Sequence, residues 1–441
     1  MKLLSLFAAV AALGTMAGPA RAETATFALV VGVNRSVDPD AVPLRFADDD
    51  AARFRDLFRA VGAHTLVLAR LDDNTRRLHP EVAAEAAPPT LAALTDAVAR
   101  LAAAVAAERA AGRRTVLYLA YAGHGTADGE GASVALEDAR LSGADLLARI
   151  IDPVGADQTH LIVDACQSYF LVLDRGPGGA RRPLQGYALG ALGRRPDVGL
   201  LLSTSSARES HEWAAFQAGV FSHEVRSGLY GAADADGDGV ISYLEIASFV
   251  ERANAAIANE RYRPDVFSRP PEGEAALLDL RAALAHRIEI DSPPHGHQYL
   301  EDTAGVRWAD FHNGGSLRLV RPAPGRLYLR RPQDDREYVL PEAVVLRTSQ
   351  LQLVDARVTS RGAANDAFQA LFTLPFGADA VAAYGHRPPE GVVETAAPAR
   401  PAWRGRLGGG LVVAGAAAAL GGGVALLSAR GLHDELGPGT S

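Results

Sequence analysis

Gly123-His124-Gly125 and Asp164-Ala165-Cys166-Gln167-Ser168 place a histidine and a cysteine 42 residues apart, each motif directly following an apolar, strand-like run. Cys166 is the only cysteine of the chain. It can form no intramolecular disulfide and has no companion thiol for a zinc site, so its use is packing or chemistry. Thiol chemistry on a peptide carbonyl needs a thiolate, an imidazole that takes and returns its proton, and hydrogen-bond donors aimed at a tetrahedral oxyanion. The two motifs can supply all three. Cys166 would attack the carbonyl carbon, His124 would protonate the leaving amine, and the backbone N–H groups of Gly125 and Cys166 would hold the oxyanion. A glycine after the histidine keeps a side chain out of the carbonyl's approach, and Gly123 permits a sharp exit from the strand.

These residues need a scaffold that brings two strand ends together. Residues 27–33 form a continuous apolar run ending at Asn34, as expected of a strand buried on both faces of a parallel sheet. Residues 50–60 carry Ala51, Phe54, Leu57 and Phe58 at helical spacing, and residues 64–71 return to β character. Thr90 can cap an alanine-rich helix reaching about residue 110. Residues 115–121, 158–165 and 198–204 are three further β runs, with a helical stretch at 141–151 between the first two. This alternation predicts an α/β sheet of mainly parallel strands with right-handed crossovers. In such sheets the active site lies just beyond the carboxyl ends of the strands, where His124 and Cys166 both fall.

Further along, helices are expected over 220–231 and 243–259, and the proline-rich stretch 264–272 breaks the second of them. From residue 288 onward Leu317-Arg318-Leu319, Leu327-Tyr328-Leu329 and Tyr338-Val339-Leu340 suggest short alternating strands between Pro and Gly turns. Residues 287–386 are therefore expected to form a smaller β-rich module after a domain spanning 23–286. His295 and His297 are read as unliganded histidines in a proline-rich linker.

With 48% apolar and 22% charged residues in 441, the composition is that of an ordinary globular protein with room for two or three domains. Residues 1–22 have the form of a secretory signal, with Lys2, an apolar stretch and Ala20-Arg21-Ala22 before the cleavage point. Its removal takes the formal charge from −8 to −10 by loss of Lys2 and Arg21, a balance that suggests no nucleic-acid partner. Residues 407–428 run 22 positions without a charge, enough to cross an apolar layer of ~30 Å. We expect a membrane anchor there, after a Pro/Arg-rich linker at 387–406 and before a short tail at 429–441. Arg400, Arg404 and Arg406 precede the span and Arg430 follows it, which by charge alone would keep the domain in the cytosol. An N-terminal signal overrides that bias for a large domain. The expected location is outside the cytosol, periplasmic or extracellular.

The sequence also resembles a known family. Residues 27–33, Leu44-Arg45-Phe46-Ala47-Asp48-Asp49-Asp50-Ala51, Tyr121-Ala122-Gly123-His124-Gly125, Asp164-Ala165-Cys166, and Ser203-Thr204-Ser205-Ser206-Ala207 with Gly219-Val220-Phe221-Ser222 resemble the caspase-like cysteine peptidases of family C14. Within that family the closest pattern is the bacterial, metacaspase-related branch, and the likeness runs from about residue 27 to 259. The resemblance implies a caspase-like fold, with His124 and Cys166 as catalytic pair. It departs from the Gln-Ala-Cys-x-Gly pattern of animal caspases, since Asp164 replaces Gln and Ser168 replaces Gly. Asp164 resembles the acid with which metacaspases bind a basic P1 side chain, and Asp50 is a second acid for that pocket or a capping carboxylate in the first helical turn. A protein or peptide substrate with Arg or Lys at P1 is expected. The loop between Asp174 and Asp197, holding Arg175, Arg181, Arg182, Arg194 and Arg195, is a self-cleavage segment or an ordinary exposed loop.

Residues 234–245 fit the twelve-residue EF-hand loop position by position. Asp234, Asp236 and Asp238 stand at positions 1, 3 and 5, Gly239 at the turn, Val240 offers a carbonyl at 7, Ser242 stands at 9, and Glu245 at 12. Hard oxygen ligands at this spacing select Ca²⁺, the one cofactor expected. Two other readings of the whole chain stay open from sequence: a non-catalytic membrane-anchored scaffold or receptor that keeps the fold and acts through its β-rich module, and a legumain- or gingipain-like peptidase with the same His-Gly and Cys-after-strand arrangement.

Overall fold

Nine residues, Thr24–Gly32, open the chain's central sheet as strand β1, and from Phe27 on every side chain of the strand is buried. The computed structural model describes residues 23–127, 131–166, 168, 171, 190–203, 212–259, 263–264, 266–293, 295–356 and 367–386. The expected signal at 1–22, the linker, span and tail over 387–441, residues 204–207 and most of the arginine-rich loop lie outside them. Among the described residues no helix is long and apolar enough to cross a membrane.

After β1 come β2 (His64–Ala69), β3 (Arg114–Ala122), β4 (Gln158–Asp164), β5 (Val198–Ser203) and β6 (Val266–Arg269). They form one six-stranded sheet in the order β6-β5-β4-β3-β1-β2. The first five strands pair in parallel, and β6 joins β5 antiparallel at the edge. The proline-rich stretch expected only to end a helix therefore also contributes a strand. Pro264, Pro270 and Pro271 flank the strand instead of lying within it, which is how an edge strand tolerates them.

Alternate residues of β1 enter two cores. Ala28 and Val30 face one side, covered by α1 (Ala47–Ala60), α3 (Val220–Ser227) and α4 (Tyr243–Asn254). Phe27, Leu29 and Val31 face the other, covered by α2 (Leu91–Ala110) and the helical turns that end at Val154. Period-two alternation across a sheet clothed on both faces explains the unbroken apolar runs. Thr90 caps α2, its side chain accepting from the Ala93 N–H. The helix expected over 220–231 is α-helical to Ser227 and then widens through Gly228–Ala232, where Gly231 has φ 120°.

The residues after 286 form a three-stranded sheet (Arg287–Ile290, Leu317–Val320, Val345–Arg347) and a five-stranded one built on Gln298–Asp302, Arg307–Phe311, Leu327–Arg331, Arg336–Leu340 and Leu353–Asp355. Both share a core with the α1, α3 and α4 side of the central sheet. Trp308 packs edge-on against Tyr230 and His79, and Phe372 lies against Phe249 and Phe216.

Candidate active site

His124 leaves the end of β3 and Cys166 leaves the end of the adjacent β4. The two strands are in register to their last residues, Ala122 opposite Asp164, and the Gly123 N–H continues the ladder by donating to the Asp164 carbonyl at 3.0 Å. Beyond that bond the two chains press together. A Cβ added to Gly125 would lie 2.3 Å from the Cys166 carbonyl oxygen and 3.0 Å from the Ala165 Cβ. Glycine is thus required at 125 by the main chain that carries the cysteine, a nearer constraint than the approach of a substrate.

The histidine is held from behind. Its own carbonyl accepts from the Ala135 N–H at 3.0 Å, and the Tyr121 hydroxyl lies 2.9 Å from the same oxygen. The imidazole lies near the Asn34 carbonyl just past β1, and its Nε2 is buried with no partner among the described residues. Burial pushes the imidazole below its usual range, against the pull of the Asn34 carbonyl and the Asp38 carboxylate. Asn34 is itself locked: its side chain donates to Asp48 at 2.7 Å and accepts from the Ala47 N–H at 2.9 Å, stitching the end of β1 to the start of α1. Cys166 is 6% exposed and in no disulfide.

The two expected pocket acids converge on Gly219. A Cβ there would sit 2.5 Å from Asp164 Oδ2 and 3.1 Å from Asp50 Oδ2. Asp164 is half-buried, and its Oδ2 accepts from the Ser222 N–H at 2.9 Å and the Ser222 hydroxyl at 2.7 Å. Asp50 is neither solvated nor a cap. It is 2% exposed, accepts from the Gly219 N–H at 2.8 Å, and pairs with the fully buried Arg226 at 2.7 Å. Burial first and the Asp50 charge second push Asp164 up to about 7, with the Ser222 donors opposing. Asp50 thus carries its own cation, while Asp164 is held by the neutral donors of Ser222.

Three contributors were not legible beforehand. Glu212 accepts from the backbone N–H groups of Arg45 and Phe46 at 3.0 and 2.8 Å, pinning the turn into α1. Ser222 and Arg226 stand four residues apart on α3 and so share one face, turned towards the acids. Ser222 falls in the Gly219-Val220-Phe221-Ser222 segment of the family resemblance without its role being marked there, and Arg226 has no local signal in the sequence.

The acidic loop lies past the far end of α3. Asp234 Oδ2 accepts from the Gly239 N–H at 3.1 Å, Asp236 from Asp238 N–H at 3.1 Å, and Asp238 from Val240 N–H at 2.7 Å. Glu245 accepts from the Ser242 hydroxyl at 2.7 Å and the Ala235 N–H at 3.1 Å. Oxygens of Asp234, Asp236 and Glu245 lie within 4.8 Å of one another, and the Asp234 Oδ1 is buried with no partner among the described residues. The loop strand Val240–Ser242 pairs antiparallel with Ala276–Asp279.

Residues 25–274 match the caspase domain family, Peptidase C14. No curated protein matches. Among solved structures, a Geobacter sulfurreducens protein aligns at 16% identity over 58% of this chain and 100% of its own, with a TM-score of 0.34. Caspase-1 of Spodoptera frugiperda aligns at 11% identity over 58% of this chain and 90% of its own, with a TM-score of 0.36. The pro-form of that caspase gives 12% identity, the same coverage and a TM-score of 0.35. The matched segment takes in more than half of the chain, including both strand ends that carry His124 and Cys166, and the protein belongs to the caspase-domain family of C14 peptidases.

Proposed function

We propose that this protein is a cysteine endopeptidase of the metacaspase-related branch, cleaving after Arg or Lys with Cys166 as nucleophile and His124 as base. The observation that carries the reading is the contact of Gly125 with the Cys166 main chain, which sets the two motifs side by side. The His124 imidazole takes the Cys166 proton, and the thiolate sulfur bonds to the substrate carbonyl carbon. The negative charge on the carbonyl oxygen is met by the N–H groups of Gly125 and Cys166. As the tetrahedral species collapses, the C–N bond breaks and His124 returns its proton to the leaving amine. Water then attacks the thioester with His124 again as base, releasing the acid and the thiol. Asp164 meets the P1 guanidinium or ammonium, and Asp50, neutralised by Arg226, backs it.

The donor set of residues 234–245 suits Ca²⁺: Asp234, Asp236, Asp238, Glu245, the Val240 carbonyl and Ser242 would hold it, and the orphaned Asp234 Oδ1 supports that fit. Bound calcium would brace the turn between α3 and α4. Residues 1–22 and 407–428 support an exported, membrane-anchored enzyme with its peptidase domain outside the cytosol.

The test is a peptide-library cleavage profile of the wild type beside Cys166→Ala. Cleavage after Arg and Lys that disappears in Cys166→Ala is expected. Equal cleavage by the variant, or faster cleavage after Asp than after Arg, would refute the assignment.

A further inference from the structure

The strands beyond residue 286 lie outside the segment matched by the family, yet they hold a buried carboxylate aimed at the pocket helix. Asp310, on the strand Arg307–Phe311, is 0% exposed. Its Oδ2 accepts from His223 Nε2 at 2.7 Å, its Oδ1 from His297 Nε2 at 2.6 Å, and Arg307 Nε donates to Oδ2 at 2.7 Å. The Asp310 N–H donates to the Ser227 hydroxyl at 3.0 Å, and that hydroxyl donates back to the His223 carbonyl at 2.7 Å. Both the side chain and the main chain of Asp310 thus bind α3, at His223 and Ser227. Burial works against the carboxylate, but Arg307 and the two histidines hold it well below the usual range, so it accepts and both Nε2 atoms carry the protons.

The helix face gripped in this way is one residue from the face that meets the acids. His223 follows Ser222, the donor to Asp164, and Ser227 follows Arg226, the partner of Asp50. The His223 ring stacks on Phe216 with centroids 3.9 Å apart, the Arg307 guanidinium covers the other partner of that stack at 4.9 Å from the Phe216 centroid, and the Phe216 carbonyl accepts from buried Arg53 at 2.7 Å. Phe216 lies in the turn that leads into Gly219. The turn, the glycine and the helix therefore rest on Asp310 and Arg307 from the β-rich segment.

We infer that Asp310 is a positioning residue for substrate specificity: through His223 and Ser227 it sets the helix that orients Asp164, making the β-rich segment part of the P1 pocket's support. This rests on the proposed role of Asp164. His124 and Cys166 lie just past the ends of β3 and β4 and belong to neither α3 nor the β-rich segment, so loss of Asp310 is expected to affect recognition more than nucleophile reactivity.

The experiment compares hydrolysis of a peptide with P1 Arg against alkylation of Cys166 by iodoacetamide, which needs no pocket, in the full-length protein and its variants. Asp310→Asn keeps the shape and removes the charge. Its KM for the peptide is expected to rise by about tenfold to a hundredfold, the cost of a pocket group displaced by about an ångström, with the alkylation rate unchanged. His223→Leu should reproduce the defect, and His223→Gln, which keeps an N–H towards Asp310, should restore most of the lost affinity. An unchanged KM in Asp310→Asn would overturn the inference. So would an equal fall in hydrolysis and alkylation in Asp310→Asn and both His223 variants, which would mark a general structural role. If the wild type is alkylated at Cys166 yet hydrolyses no Arg or Lys peptide, the pocket reading itself fails and takes this inference with it.

Discussion

Gly125→Ala isolates the contact on which the catalytic reading rests. The added methyl would meet the Cys166 carbonyl oxygen at 2.3 Å, where ordinary contacts begin at 3.4 Å, and the Ala165 Cβ at 3.0 Å. Neither neighbour is the tip of a flexible side chain. One is the main chain of Cys166 and the other a methyl fixed to the adjacent residue, so relief comes by moving the two strand ends apart by about 1 Å. A misplacement of that size between reacting groups costs ~10²-fold in rate, or about 2.7 kcal/mol of barrier. Overpacking of this kind also lowers stability by roughly 1–3 kcal/mol, which a domain with a core on each face of its sheet is expected to survive. The assay is kcat/KM on a P1-Arg peptide together with a thermal melt. Gly315→Ala, with nothing within 4 Å of its new methyl, is the control for adding an alanine methyl to this protein. If Gly125→Ala kept the wild-type kcat/KM, the two motifs would not need to touch for catalysis, and the assignment of His124 and Cys166 as a pair would lose its structural basis.

Two further outcomes follow from the acids. Asp164 is pushed up to about 7, so below that pH it is protonated and offers a P1 cation no charge; KM for a P1-Arg peptide should fall as pH rises through about 7. His124 is pushed down from 6.5 by burial, so the acidic limb of kcat should lie below the limb in KM, and Asp164→Asn should abolish the latter while weakening binding by roughly 10–100-fold. For the loop, Ca²⁺ at a hundred times its Kd should stabilise the protein by ~2.7 kcal/mol, roughly 5–10 °C in Tm, and Asp234→Asn with Glu245→Gln should remove the shift. A Tm indifferent to calcium and chelator in the wild type would dispose of the site.

The strands and the chemistry-bearing motifs were legible because their signals are local. A strand buried on both faces writes itself as an apolar run, as at residues 27–33, whereas Gly123 continues its strand's ladder and owes its glycine to the Tyr121 hydroxyl, 2.5 Å from where a Cβ would lie. The supports were not legible because each joins residues far apart in the chain. Glu212 meets Phe46 across 166 positions, and Arg226 meets Asp50 across 176. No periodicity reports such a pair. The strand Val266–Arg269 was hidden for a different reason: its flanking prolines read as helix breakers, and only the free edge of β5 turns them into strand boundaries. The reading of His297 as holding no metal says nothing of its bond to a carboxylate thirteen positions ahead, which shows no pattern in sequence.

The loop proposed to bind calcium has no second such loop beside it among the described residues, which raises the question of what supports it instead. Here Val240–Ser242 finds its β partner in Ala276–Asp279, so the loop is tied by backbone pairing to the strand that follows the family-matched segment. On its other side Arg318 of the β-rich segment donates to the Gly237 carbonyl and stands 3.5 Å from Asp234 Oδ2. The same strand explains Gly231, where a Cβ would lie 2.3 Å from the Arg318 carbonyl and φ is 120°, a backbone conformation open chiefly to glycine. Residues 219–245 therefore run as one strut, whose start binds Asp50 and Asp164 through Gly219 and Ser222 and whose end is the loop. The β-rich segment grips it at His223, Ser227, Gly231 and Gly237. A strut held at so many points transmits a change at the loop only if the grip yields with it, so any effect of calcium on peptide hydrolysis should be read first in KM, because the strut meets Asp164 and Asp50 directly and carries neither His124 nor Cys166.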